Sequence, residues 1–259
     1  MGRIIAVANQ KGGVGKTTTA INLSACLAEK NKKVLTIDID PQGNTTSGLG
    51  VDKNVVENTV YELFLDECNL SDCIQSSVMD NLSVIPSNIN LSGAEIELIS
   101  MENKEYLLRE KLDTIKQNYD FIIIDCPPSL NLLTVNAMVA SDTVLVPIQC
   151  EYYALEGLSQ LMHTIDLITE RLNPKLEIEG VVFTMYDART NLSSQVVENV
   201  KENLNKKIYK TIIPRNVRLA EAPSYGMPIN LYDSKSAGAE AYRFLAEEVI
   251  EREDEDEWL

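Results

Sequence analysis

The sequence predicts an α/β fold, with a mostly parallel central sheet and helices packed on both faces. Three observations carry that expectation. Short apolar runs of strand length recur along the 259 residues, and they are continuous rather than alternating, the pattern of strands buried on both faces. Between them lie segments with apolar residues at helical spacing, which supply the crossovers that parallel strands need. A glycine-rich loop joins the first predicted strand to the first predicted helix.

The elements follow in order. Residues 3–8 (RIIAVA) form a strand, and Lys16–Glu29 a helix with Ala20, Leu23 and Leu27 on one face. Residues 33–38 (KVLTID) and 82–86 (LSVIP) are the next strands. The stretch 43–81 is the least patterned and reads as loops and short helices. Ser92 and Glu95 have the spacing of a capping box, so one helix is predicted from there to about residue 116. Phe121–Asp125 (FIIID) is an apolar strand ending in an acid, and 143–148 (TVLVPI) is another strand. A helix follows, with Leu155, Leu158, Met162, Ile165 and Ile168 on one stripe. Strands at 179–185 and 207–213 and a helix at 237–250 complete the pattern. No repeat or linker interrupts it, so we expect one domain over 1–250 and an acidic, frayed tail at 251–259.

Composition narrows the class. Apolar residues make up 44% and charged residues 24%, which excludes disordered, collagen-like and disulfide-scaffold proteins for most of the chain. Five scattered cysteines without a CxxC pair fit reduced thiols and a cytoplasmic location. The single histidine, His163, excludes any site that needs two. No apolar run reaches the roughly 18 residues of a spanning helix. The N-terminal apolar stretch is broken by Asn9 and Lys11, unlike a signal peptide, and Ala6 stands where myristoylation needs Ser or Thr. The net charge of −16 is uneven. Residues 247–257 hold eight acids and one base, whereas 199–218 hold six bases and one acid. Screening confines fields to about 10 Å, so an acidic protein can still meet a polyanion at a basic segment.

The chemistry is concentrated in Lys11-Gly12-Gly13-Val14-Gly15-Lys16-Thr17-Thr18, between a strand and a helix, as a phosphate-binding loop requires. Glycines let backbone N–H groups converge on an anion, and the helix N-terminus adds partial positive charge. Lys16 supplies a cation to the β- and γ-phosphates, and the Thr17 hydroxyl is placed to ligate Mg²⁺. The strict pattern GxxxxGK[ST] is not met, because Gln10 occupies its first position, and GxGxxG fails as well. Asp38 and Asp40 (DIDPQGN) and Asp125 end strands whose carboxyl ends share the loop's edge of the sheet, where they can reach a metal or an attacking water. Asp38 reads as a cap or loop acid outside catalysis.

The extra Lys11 in KGGVGKTT, together with DIDPQGN, FIIIDCPPS, PIQCEYYALEG, TMYDARTN and IPRNVRLAEAPSYG, resembles the ParA/MinD group of deviant-Walker P-loop NTPases, whose fold is nitrogenase iron protein-like. The resemblance covers about residues 1–250 and is strongest to Soj-type ParA chromosome-partitioning ATPases without an N-terminal DNA-binding extension. It implies a slow ATPase that pairs into a homodimer around ATP and Mg²⁺. Lys11 would cross to the partner's phosphates, a cation supplied in trans. Gly12 would lie where two backbones approach. Asp40 would orient or activate water, and Asp125 would act on Mg²⁺ through water. Met185, Pro214 and Asn216 match positions around the adenine, and Arg189 and Arg218 match positions that bind double-stranded DNA without sequence preference. A ParB-like protein would stimulate turnover, and the protein would be nucleoid-associated. Three other readings remain: a MinD-like membrane-associated ATPase, which the acidic ending REDEDEWL disfavours; an iron-protein-like electron carrier, which would need two cluster cysteines per subunit, although Cys126, at the FIIID strand end, reads better as a buried structural thiol than as a partner to Cys150; and a metabolic P-loop enzyme, for which no substrate motif argues.

Overall fold

The structure is a computed structural model that describes residues 2–151, 154–203 and 207–257. Eight strands form one sheet: β1 (Arg3–Val7), β2 (Val34–Asp38), β3 (Gln75–Ser76), β4 (Leu82–Ile85), β5 (Phe121–Asp125), β6 (Thr143–Gln149), β7 (Glu177–Tyr186) and β8 (Ile208–Pro214). Their order is β3-β4-β2-β5-β1-β6-β7-β8. Among the described residues only the short β3 is antiparallel to its neighbour; the other pairings are parallel. The predicted fold class therefore holds.

Why these runs become buried strands is visible in β1. Ile4 and Ala6 face one core with Ile122, Ile124 and Val144, while Ile5 and Val7 face the other with Ile123, Leu145 and Phe121. A pleated strand sends alternate side chains to opposite faces, so two cores demand an unbroken apolar run. Burying each such aliphatic side chain stabilises the fold by about 1.5–3 kcal/mol. The Lys16–Glu29 and Ala237–Glu257 helices cover one face, where Tyr242, Leu245 and Val249 pack against Leu23 and Leu27. Helices Leu107–Asp113, Leu132–Ala140, Ala154–Arg171 and Asn191–Asn203 cover the other. From β1 the sheet extends through β6, β7 and β8 on one side and through β5, β2, β4 and β3 on the other, and the change of direction at β1 is where a crevice is expected at the carboxyl ends of a parallel sheet.

Four expectations need correction or extension. The single helix predicted over 92–116 is two helices, Leu91–Leu98 and Leu107–Asp113, followed by a 3₁₀ turn at Lys116–Asn118. Ser92 lies inside the first of these, whose N-cap is Asn90 and whose cap makes no side-chain bond. The break carries Asn103 in the left-handed region (φ 52°), and two of its backbone groups are satisfied by the buried Asn136. The Asn136 amide donates to the Lys104 carbonyl (2.7 Å), and its Oδ1 accepts from the Leu108 N–H (3.2 Å). A tertiary side chain thus replaces the helical ladder. Capping boxes occur instead within 43–81, at Thr59/Glu62 and Asn69/Asp72. Helices Leu132–Ala140 and Asn191–Asn203 were not predicted. The C-terminal helix continues past Ile250 to Glu257 rather than stopping there.

Leu158, Ile165 and Ile168 of the predicted stripe are buried, and His163 is exposed. The Leu155 side chain, Lys206 of the basic segment, and Trp258 and Leu259 of the tail lie outside the described residues. Among the described residues no helix is long and apolar enough to cross a membrane.

Candidate active site

The glycine-rich loop leaves the carboxyl end of β1 and enters the Lys16–Glu29 helix at Gly15. Three side-chain bonds fix its course. The Asn9 amide donates to the Pro147 carbonyl (2.8 Å), and Asn9 Oδ1 accepts from the Lys11 N–H (3.0 Å). The Thr184 hydroxyl, near the end of β7, donates to the Val14 carbonyl (2.7 Å). Gly13 (φ 76°) and Gly15 (φ 89°) use the left-handed region; Gly12 does not. A Cβ placed at Gly12 or Gly13 would meet nothing within 4 Å, so the loop borders open space of the kind an anion fills.

Lys16 is buried, with 7% of its surface exposed, and its ammonium donates to the Lys11 carbonyl (3.0 Å). Burial lowers its pKa first, and the nearby Asp125 partly restores it. Lys11 is half-exposed and ion-pairs with Glu151, just beyond β6 (2.5 Å). The Thr17 hydroxyl donates to Asp125 Oδ2 (2.8 Å). Thr18 is partly buried, and its carbonyl accepts from Asn22.

The strand-end acids behave differently from one another. Asp38 and Asp125 are register partners across β2 and β5, and both are fully buried. Asp38 Oδ2 accepts from the Thr46 N–H and hydroxyl (both 2.8 Å), and Oδ1 accepts from the Asp40 N–H (3.1 Å). It therefore holds the turn that leads into the helix Asn44–Gly48, whose N-cap is Gly43 rather than Asp38. Thr45 donates to the same Asp125 oxygen as Thr17 does (2.7 Å), while Asp125 Oδ1 has no partner among the described residues. Burial raises both carboxyls, and for Asp125 the neighbouring Asp38 raises it further. Asp40 is only partly buried and accepts from the Gln42 N–H (2.9 Å).

This donor set fits a nucleoside triphosphate with Mg²⁺. Hard oxygens (the Thr17 hydroxyl and an orphaned buried carboxyl oxygen) suit a hydrated Mg²⁺. Lys16 and the open glycine loop suit phosphates.

The remaining predicted residues lie at the ends of β7 and β8. Met185 is in the left-handed region (φ 51°) with 36% of its surface exposed, a conformation that costs a residue of this kind about 1–3 kcal/mol. Pro214 pairs with Tyr186, and the Arg215 N–H donates to the Tyr186 carbonyl (3.0 Å), so Pro214 sits beside the residue that follows Met185. Asn216 Oδ1 caps the next helix by accepting from the Arg218 N–H (2.8 Å). Arg189 is exposed and forms a two-point pair with Asp187, and Arg218 pairs with Glu221 and Asp233. Each candidate DNA-facing arginine thus already has an acidic partner. The sequence reading missed Thr45, Glu151 and Thr184, although each lies just beyond or near the carboxyl end of a predicted strand. Of the cysteines, Cys126 and Cys150 are buried, and burial raises both thiols.

Known proteins place this geometry in a family. The profile of the AAA domain family matches residues 2–178. The sporulation initiation inhibitor protein Soj of Bacillus subtilis is 60% identical over 96% of this chain and 98% of its own length. The chromosome partitioning protein ParA of Myxococcus xanthus is 52% identical over 98% of this chain and 89% of its own. Among solved structures, cobyrinic acid a,c-diamide synthase from Mycobacterium smegmatis with bound ADP and magnesium superposes with a TM-score of 0.85 and 37% identity, covering 96% of this chain and 94% of that one. A chain that carries the deviant phosphate loop on this sheet and keeps such identity over nearly its whole length belongs to the ParA/Soj-type family of P-loop ATPases.

Proposed function

We propose that this chain is a Mg²⁺-dependent, slowly turning-over ATPase switch. ATP pairs two copies into a homodimer, the dimer holds double-stranded DNA without sequence preference, and a ParB-like partner stimulates hydrolysis to drive partitioning on the nucleoid. Residues 1–250 act as one ATPase domain, with 251–259 as an acidic tail. The observation that carries the reading is the convergence at one sheet edge of the glycine loop, Lys16, the Thr17–Asp125 pair and Asp40.

The roles follow from the contacts. Backbone N–H groups of residues 12–18 bind the phosphates, and Lys16 exchanges the Lys11 carbonyl for a phosphate oxygen. Thr17 and Asp125 hold the metal side, where Mg²⁺ would offset phosphate charge. Asp40 orients the attacking water, and its partial exposure suits that task better than the sealed Asp38. Met185, Pro214 and Asn216 border the adenine. Lys11 leaves Glu151 and reaches the phosphates of the partner subunit, where its charge is most useful as charge develops on the γ-phosphoryl group. Arg189 and Arg218 face DNA from both subunits. Pairing doubles the phosphate contacts, which raises affinity and salt sensitivity together.

The name of the mycobacterial structure supports a second reading, a synthase. Such an enzyme would need a small-molecule acceptor to consume ATP, so turnover with water alone would count against it. The 60% identity to Soj favours the switch. Light scattering on the Asp40→Ala protein tests it. ATP should double the mass, and added DNA should then bind. A monomer at saturating ATP would refute it.

A further inference from the structure

Two consecutive threonines clasp two neighbouring buried carboxyls. Thr46 bonds Asp38, and Thr45 bonds Asp125. Both threonines lie in the short helix Asn44–Gly48, whose N-cap Gly43 bonds back to the Asp40 carbonyl (2.9 Å). Asp125 therefore has two holders from two different elements. Thr17 on the loop helix and Thr45 on the short helix both donate to Oδ2, at 2.8 and 2.7 Å. Its other oxygen, Oδ1, is buried and unpartnered among the described residues. A buried carboxyl oxygen without a donor is costly, and it marks a group waiting for one.

Thr17 and Thr45 are not equivalent. Thr17 is partly exposed beside the phosphate loop. Thr45 is fully buried, so it reaches the site only through Asp125. Hydroxyls that hold a carboxylate next to a metal act by fixing its orientation, and their loss typically costs 10–100-fold in metal affinity.

We propose that Thr45 is a positioning residue for Mg²⁺: its hydroxyl fixes Asp125 through Oδ2, so that Oδ1 stays free for a donor from the hydrated cation. Because Thr45 is carried by the segment that follows Asp40, the same bond ties the water-orienting acid to the metal-side acid. The inference rests on the ATP–Mg²⁺ reading above.

The test is the Mg²⁺ dependence of binding of a fluorescent ATP analogue, with EDTA as the metal-free reference and apo thermal melts alongside. Thr45→Val should weaken apparent Mg²⁺ affinity about tenfold or more, with metal-free nucleotide affinity unchanged within about twofold. Thr45→Ser, which keeps the hydroxyl and loses only a methyl, should restore wild-type Mg²⁺ dependence. If the valine variant does not fold, Thr45→Ala takes its place with the same expected loss and the same overturning result. Wild-type Mg²⁺ dependence in Thr45→Val would overturn the assignment. So would a folded Thr45→Ser protein as defective as Thr45→Val, because packing rather than the hydroxyl would then be responsible. If wild-type protein itself bound nucleotide equally well with and without Mg²⁺, the underlying reading would fall, and Thr45 with it.

Discussion

Lys11 and Lys16 are five positions apart, yet they sit in opposite electrostatic settings. Lys16 is buried, and its charge is disfavoured there until phosphates arrive. Lys11 is held by Glu151 in a half-exposed ion pair, and pairs of that kind are worth about 0.2–1 kcal/mol, little enough for Lys11 to leave. The buried Asp38 and Asp125 give a prediction at the same scale. Burial raises both carboxyls above their unfolded values, so the folded apo protein binds more protons than the unfolded chain between about pH 4 and the raised values. Stability must therefore fall as pH rises through that window. Thermal melts of metal-free, nucleotide-free protein from pH 5 to 8 should show this decline, and Asp125→Asn should flatten it. An equal slope in both proteins would mean that the pair does not titrate on folding. The strand-end acids themselves were legible in the sequence, because parallel strands put their carboxyl ends on one edge. Thr45 was not, because only the fold shows that its hydroxyl meets an acid 80 positions away.

At the scale of elements, legibility followed the source of each element's stability. Strands with two buried faces announce themselves as apolar runs, as in β1, β5 and β6, whereas β8, with Lys210 exposed and its other residues mostly half-buried, is a weaker signal that was still read as a strand. The short antiparallel β3 (Gln75–Ser76) has no apolar run and escaped. The predicted 92–116 helix failed because Asn136, far along the chain, satisfies the backbone at its break. The Asn191–Asn203 helix was missed because its buried stripe of Val196, Val197 and Val200 is short and β-branched, a weak helical signal. Asn136→Ala should leave the Leu108 N–H and the Lys104 carbonyl unpaired. A cost of about 1–3 kcal/mol follows, and it should appear as a lowered melting temperature with nucleotide affinity unchanged. A melting temperature equal to wild type would show that other groups hold the break.

For the whole molecule, the problem is how a chain of net charge −16 could bind a polyanion. The acids concentrate in the last helix, while Lys201, Lys207, Lys210, Arg215 and Arg218 lie in one segment, partly neutralised by partners such as Glu177 and Glu221. One copy therefore offers few free cations, and two copies offer twice as many. Arg189→Glu should leave ATP-dependent mass doubling intact and reduce DNA retention at least tenfold at moderate salt, about 1.4 kcal/mol, with a shallower salt slope. Unchanged DNA retention would move the surface elsewhere on the molecule.

Mass measurement by sedimentation, comparing Asp40→Ala with Asp40→Ala/Lys11→Ala at saturating ATP and Mg²⁺, tests the pairing account most directly. The account predicts dimers in the first protein and monomers that still hold ATP in the second. Equal dimerisation in both would contradict it, because Lys11 would then contribute nothing across the interface.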